Sequence, residues 1–192
     1  MELKKTILLG LLTVAFIVMS LVFFLGNGDE QITTSQNQAA ANIEQQESGQ
    51  VETEIISLFF LSEEDGMLHA EEREIIAVPS LHMKARNIIE ELLKGSHNGF
   101  ISPFPANTEL REFFISSEGI AYVDFSRDFQ DNHPSGASAE IATVYSVVNT
   151  LIYNLNSIKK VFILIDGGEK ETLNGHIDLS LPLVSKFNLM VE

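Results

Sequence analysis

Lys160-Val161-Phe162-Ile163-Leu164-Ile165-Asp166-Gly167-Gly168 is the stretch that decides the fold. Val161 to Ile165 are five consecutive apolar residues, bounded by a charge at each end and closed by a Gly-Gly turn. An apolar run with no polar alternation reads as a central strand covered on both faces. Such a strand needs neighbours in a sheet and a layer packed on it.

The preceding sequence supplies both. Ile141, Val144, Tyr145, Val148, Leu151, Ile152 and Leu155 form an apolar stripe at helical spacing, from about Ser138 to the stop at Asn156-Ser157. Leu110 to Ser116 and Ile120 to Phe125 read as hairpin arms around Glu118-Gly119. Earlier still, Ser80 is a plausible N-cap for a helix with Leu81, Ala85, Ile88, Ile89 and Leu92 on one face, and Gly95 at its C-terminal end. Val51 to Leu61 and Met67 to Val78 read as two strands around an acidic turn, the second more polar and near an edge. After Gly168, Glu171 to Leu183 reads as a last extended segment. The order β-β-α-β-β-α-β-(β) predicts an α+β fold, a compact domain with two helices packed on one face of a mixed β-sheet. The other face then needs water, a loop or a partner.

The chain has 192 residues, 27 acidic and 12 basic, for a net charge of −15. With no cysteine it has no disulfide scaffold, no thiol nucleophile and no thiolate metal site. Its acidity argues against nucleic acid as a partner, since phosphate binding is driven by clustered Lys and Arg.

Three segments differ in composition. Residues 1–28 contain an uncharged run from Ile7 to Leu25 behind Lys4 and Lys5. As a helix that run is about 28 Å long, close to the hydrocarbon thickness of a bilayer. The two lysines predict a cytoplasmic N-terminus and an extracytoplasmic, periplasmic-side domain on a single-pass membrane anchor. A cleaved signal peptide is the rival, but the run ends in Phe23-Phe24-Leu25 and no A-x-A site follows. Residues 29–50 hold six Gln, four acids and no Lys or Arg, and read as a flexible linker. Residues 51–192 form the folded domain, with 22 acids and 10 bases.

Several constellations hold residue types that could carry chemistry. Ser126 with His133 as base, near Asp124 and Asp128, lacks a nucleophile elbow around the serine. Asp166, Glu169, Glu171 and Asp178 surround the Gly-Gly turn but lack calcium-loop spacing, and read more plainly as a solvated turn. The five histidines, at 69, 82, 97, 133 and 176, form no metal motif; His176 after Gly175 is the most notable. Phe113, Phe114, Phe125 and Phe129 read as core.

Taken in order, the landmarks resemble a family. They are Leu92-Leu93-Lys94-Gly95, Pro105-Ala106-Asn107-Thr108-Glu109-Leu110, Val123-Asp124-Phe125-Ser126 with Phe129, Val148-Asn149-Thr150-Leu151, Val161 to Gly167, and Thr172-Leu173-Asn174-Gly175-His176-Ile177-Asp178. The set resembles the GerMN domain of sporulation and spore germination proteins, over roughly Ile55 to Leu183. Ser96 departs from the pattern, where the family often has Pro. The resemblance implies an extracytoplasmic envelope domain behind a membrane anchor or lipid signal, with a fold like the ring-building motifs of secretion and sporulation channels. It also implies a link to spore envelope assembly, and supplies no catalytic residues.

The expected function is therefore a non-enzymatic, membrane-anchored envelope domain acting in assembly or scaffolding through protein contacts. It is expected to need no cofactor and no metal. Its expected partners are the cytoplasmic membrane, through the N-terminal helix, and envelope proteins or a second copy. The alternative is a peptidoglycan-binding module, with Phe100 and Phe104 stacking on sugar rings beside the polar groups from Asp124 to Asp128. The candidate binding surface is Phe100, Phe104, Thr108, Asp124, Ser126, Asp128, Asp166 and His176.

Overall fold

The structure, a computed structural model, describes residues 51–191. The predicted anchor over residues 1–28 and linker over residues 29–50 lie outside the described residues. The elements are β1 (Thr53–Leu61), β2 (Leu68–Ile76), α1 (Leu81–Leu93), β3 (Leu110–Ile115), β4 (Ile120–Phe125), a one-turn α2 (Asp128–Asp131), α3 (Ala137–Asn154), β5 (Lys160–Ile165), β6 (Gly168–Glu169) and β7 (Met190–Val191). A 3₁₀ turn at Phe187–Leu189 precedes β7.

The fold is α+β, but the strands form two sheets where one was expected. The first has the order β1-β2-β7, the second β3-β4-β5-β6. β1 and β2 pair antiparallel along their whole length, and β7 adds in parallel at Leu68 and His69. Polar β2, expected near an edge, is therefore the middle strand of its sheet. In the second sheet β3 and β4 form the hairpin, β4 and β5 run parallel, and β6 folds back on β5. Both α1 and α3 touch both sheets.

Local chemistry explains most boundaries. The Ser80 hydroxyl accepts the Met83 N–H at 3.3 Å, as an N-cap should. The stripe Ala85, Ile88, Ile89 and Leu92 is fully buried, while Leu81 stays half-exposed at the helix entry. Gly119 turns the β3–β4 hairpin at φ +80°, and a Cβ there would meet the Ser157 carbonyl at 2.6 Å. Only glycine satisfies both conditions. The turn after β5 is Asp166-Gly167 rather than Gly167-Gly168, because Ile165 pairs with Gly168. Both turn residues have positive φ, which is the Asp-Gly preference of a two-residue hairpin. The extended segment expected over Glu171 to Leu183 is not a strand. It contributes isolated bridges, Thr172 to Asp178 and Val161 to Leu183, between bends.

The core has one centre. Val161, Ile163 and Ile165 of β5 are buried with Val123 and Phe125 of β4 and with Val144, Val148 and Leu151 of α3. Phe162, on the other face of β5, is also nearly covered, as the apolar run predicted. The helix α3 departs from its predicted stripe. Ala142 through Leu151 are buried without a gap, including Thr143, Ser146, Asn149 and Thr150.

These polar residues close a strand edge. Ser146, Thr150 and Asn154 fall on one face of α3 at four-residue spacing. Ser146 Oγ donates to the Phe59 carbonyl at 2.6 Å, and the Phe59 N–H donates to Thr150 Oγ1 at 3.2 Å. Asn154 Nδ2 donates to the Ser57 carbonyl at 2.7 Å while its Oδ1 accepts the Ser57 N–H at 2.9 Å. A row of helical side chains thus stands where a further strand would pair with β1, leaving no bare edge there. Asn149 does the same for the returning C-terminal segment, exchanging two hydrogen bonds with the backbone of Lys186.

The outer face of the second sheet carries an aromatic row. Phe114, Tyr122 and Phe162 are register partners on β3, β4 and β5, with ring centroids 6.0 and 5.6 Å apart. Phe114, expected in the core, is 61% exposed. Its neighbour Phe113 points the other way and is buried, as strand alternation requires.

Candidate functional site

The parallel strands β4 and β5 end side by side at Phe125 and Ile165. In open sheets the carboxyl ends of parallel strands are where ligands tend to bind. Here Asp124, Ser126 and Asp166 emerge together, with arginines on both sides. Arg111 reaches across from β3, at the register shift in the hairpin between Leu110 and Glu112, and pairs with the Asp166 carboxylate. Arg127 Nη2 donates to the other Asp166 oxygen at 3.0 Å. The buried Asp124 accepts the Gly167 N–H at 2.9 Å and lies 3.8 Å from Arg111 Nε. One carboxylate is thus shared by two guanidinium groups at the tip of the β5–β6 hairpin.

A cleft of about 340 Å³ opens beside this group. Arg127, Gln130, Asp131, Ile165, Asp166, Gly168 and Lys170 line it. The sequence reading named Asp166 but missed Arg111, Arg127 and Lys170. The available signal was composition: three of the domain's ten basic residues converge here.

The other predicted site residues have local duties. Ser126 Oγ accepts the Glu109 N–H at 3.0 Å, fixing the loop that enters β3. Asp128 accepts from Asn132 Nδ2 at 2.8 Å across the single turn of α2. Thr108 Oγ1 donates to the Pro105 carbonyl at 2.9 Å. Phe100 lies 5.4 Å from the His69 ring and Phe104 lies 6.4 Å from Phe129; both are partly buried against the core. Phe129 itself stacks on Phe125 at 4.4 Å, as core.

No hydrogen bond joins Ser126 to His133 among the described residues. The His133 ring bonds Thr143 Oγ1 and the Pro134 carbonyl, both at 2.7 Å, and contacts Asn174 Nδ2 at 3.2 Å. Burial lowers its pKa, outweighing the Pro134 carbonyl and the Glu140 charge, which act to raise it. The carboxylates around the Gly-Gly turn do not converge either. Asp166 serves the arginines, and Asp178 accepts from the Ser180 N–H and hydroxyl, which lower its pKa. Among the described residues no three His, Asp or Glu side chains are placed to hold a metal ion.

His176 belongs to a second centre, built on Glu140. This glutamate sits in the first turn of α3 and is fully buried. Its carboxylate accepts the N–H groups of Leu173 at 3.2 Å, His176 at 3.1 Å and Ile177 at 2.9 Å, and contacts His176 Nδ1 at 3.0 Å. Burial acts to raise its pKa, but the hydrogen bonds from the loop and from His176 win, so the group is held below its ordinary value. The loop Thr172 to Asp178 is thereby wrapped around one anion.

Glu71 on β2 makes a matching centre. It accepts the N–H groups of His97 and Asn98, each at 3.1 Å, and the Ser96 hydroxyl at 2.6 Å. Arg73 pairs with it and donates to the carbonyls of Glu91 at 2.9 Å and Gly95 at 3.0 Å, at the end of α1. Ser96, where the resemblance led one to expect Pro, thus uses its hydroxyl on Glu71.

The family is decided by the same stretch of chain. The sequence model of the family described as Germane, sporulation and spore germination, matches residues 57–171. The chain belongs to the Germane family. The matched part of this Germane domain contains the whole Glu71 centre, Glu140 itself and every residue lining the cleft, and it stops just before the loop that Glu140 holds. Among solved structures, a candidate lipoprotein from Clostridium perfringens is 25% identical, with a TM-score of 0.51, over 74% of this chain and 95% of that one. The tandem GerMN domains of the sporulation protein GerM from Bacillus subtilis are 25% identical, with a TM-score of 0.53, over 67% of this chain and 46% of that one. The first GerMN domain of the same protein has a TM-score of 0.53 at 23% identity, over 69% and 98%. No curated protein matches the chain.

Proposed function

We propose that this Germane domain is a non-enzymatic recognition domain of the cell envelope, tethered to the cytoplasmic membrane by residues 1–50 and acting in assembly through protein contacts. One observation carries this reading. The buried polar side chains able to do acid, base or nucleophilic chemistry are already bound to the fold's own backbone or side chains. Glu71, Glu140, Asp124 and His133 each hold a loop, a turn or a helix. The relatives support the envelope setting, since one is described as a candidate lipoprotein and another as a sporulation protein.

The aromatic row on the outer sheet face is the contact surface this reading favours. Phe114 stands 61% exposed beside Tyr122, and exposed aromatics are enriched at interface centres. The alternative, a sugar-stacking peptidoglycan module, fits less well because Phe100 and Phe104 are packed against the core. The test is a photo-crosslinking amino acid at position 114 of the full chain, activated in native membranes. A discrete adduct, either a partner or a second copy, is the expected result. A chain that stays monomeric and unlinked at native abundance overturns the reading.

A further inference from the structure

The cleft beside Arg127 holds the most chemistry that the fold does not consume. Of its lining residues, Lys170 and Asp131 have no ion-pair or hydrogen-bond partner through their side chains among the described residues. They carry opposite charges. Arg127 has one ion pair, to Asp166, and its side chain is 70% exposed. Asp166 keeps a second guanidinium, Arg111, whatever Arg127 does.

We propose that this cleft binds a carboxylate of a partner protein, with Arg127 and Lys170 as its cationic wall, and that the chain's own Asp166 occupies the Arg127 fork in the free domain. The ligand is an acidic side chain with a lysine or arginine next to it. The acid goes to Arg127 and Lys170, and the neighbouring cation goes to Asp131. This rests on the recognition reading above and names the chemistry of the partner.

Four features support it. A guanidinium fork matches the two oxygens of a carboxylate. The exchange is cheap, because an ion pair this exposed contributes little and Asp166 remains neutralised by Arg111. The hairpin tip fixes Asp166 in place, since Asp166-Gly167 is a two-residue turn anchored by Asp124, so Asp166 does not follow Arg127 outward. Finally, a phosphate dianion would meet Asp131 and Asp166 at the cleft and a domain that is strongly acidic overall, so a singly charged group with a cation beside it is the better fit. A protein source is favoured over a wall peptide because no aromatic ring lines the cleft to receive the attached sugar.

The test is calorimetric titration of the full chain in nanodiscs with three probes: acetyl-lysyl-glutamyl amide, its glutaminyl counterpart, and a muramyl tripeptide. The glutamyl probe is expected to bind about tenfold more tightly than the glutaminyl one. Arg127→Ala should weaken it about tenfold, with Arg127→Lys in between. Asp166→Asn keeps a side chain that tolerates the turn and removes the internal competitor, so it should tighten binding several-fold. Thermal unfolding of each variant reports whether the fold is intact. Equal binding of the glutamyl and glutaminyl probes overturns the proposal, as does weaker binding in a folded Asp166→Asn chain. A muramyl tripeptide that binds about tenfold better than the glutamyl probe overturns the protein source in favour of the wall. If the adduct at position 114 forms while no probe binds, the cleft proposal fails and the recognition reading stands. If a probe binds and no adduct forms, the cleft proposal stands and the aromatic row is not the contact surface.

Discussion

Glu71 and Glu140 hold their loops by the same device and are neutralised in different ways. Each is a buried carboxylate that collects backbone N–H groups from a loop far away in sequence. Glu71 has a full counter-charge beside it in Arg73, itself buried and bound to the end of α1. Among the described residues Glu140 has no arginine or lysine partner. Its negative charge rests on three N–H dipoles and on His176, whose side chain is 44% exposed. The first centre is a buried ion pair with loops attached, and the second is an anion-binding nest with the anion built in. A buried pair can be replaced as a unit, whereas an anion held by backbone dipoles has nothing to be replaced with.

The largest effect is expected at the ion pair. Glu71→Met leaves Arg73 buried without its carboxylate and should cost about 3–5 kcal/mol by urea denaturation. The double variant Glu71→Met with Arg73→Met should recover the part of that loss due to the unpaired guanidinium, while the His97 and Asn98 N–H groups stay orphaned. If the double variant is as unstable as the single, the centre is a nest like the other and the contrast collapses.

Glu140→Leu should cost about 3 kcal/mol, because it orphans three inward-facing N–H groups. Here adding His176→Leu should recover nothing. Recovery in that double variant would make His176 the true counter-charge. Hydrogen exchange should show residues 173–177 losing protection in the Glu140→Leu chain while residues 96–98 keep theirs.

A neutral contact sharpens the comparison. Thr150→Val removes the hydroxyl that accepts the Phe59 N–H and should cost about 1 kcal/mol. A loss as large as that at Glu140 would mean that charge contributes little to either centre.

The smallest difference is expected in mild acid. Burial holds His133, next to the Glu140 loop, below its ordinary value of 6.5. The unfolded chain then takes up that proton first, so stability is unaffected above pH 6.5 and declines as pH falls below it. Glu71 and Glu140 are both held below 4.5, because hydrogen bonds to the carboxylates outweigh burial. Their contributions are complete above pH 4.5 and are lost only as pH falls further. Between pH 6.5 and 4.5 the Glu140 loop should therefore loosen while the Glu71 loop does not. Hydrogen exchange corrected for its intrinsic pH dependence reads this directly, and equal loosening of both loops contradicts it.

Much of the fold was legible locally. Ser80 announced its helix because capping is satisfied within one turn, and Val161 to Ile165 announced an inner strand of the sheet through hydrophobicity alone. Glu118-Gly119 announced its hairpin through turn chemistry. The errors share a cause. Glu71 and Arg73 made β2 look like an edge, yet they are buried because their partners lie 18 to 27 residues away on α1 and its loop. Ser146, Thr150 and Asn154 lie outside the apolar stripe that predicted the helix, yet they pair with β1 some 90 residues earlier. Polar side chains carry no sequence mark that tells water from a distant backbone group. Nor did the candidate site announce its cations, since Arg111 and Arg127 come from different elements and meet only at the tip of the β5–β6 hairpin.

The sequence by itself determined the long helices and strands, the family, and the acidity of the domain. Those properties depend on propensity, periodicity and composition, which act over a few residues or over the sum of all of them. The tertiary structure alone decided that there are two sheets rather than one, that a helix replaces a strand at β1, and that two arginines share Asp166. Each of these is a pairing between distant polar groups, and burial forces such pairings only once the chain has folded around them.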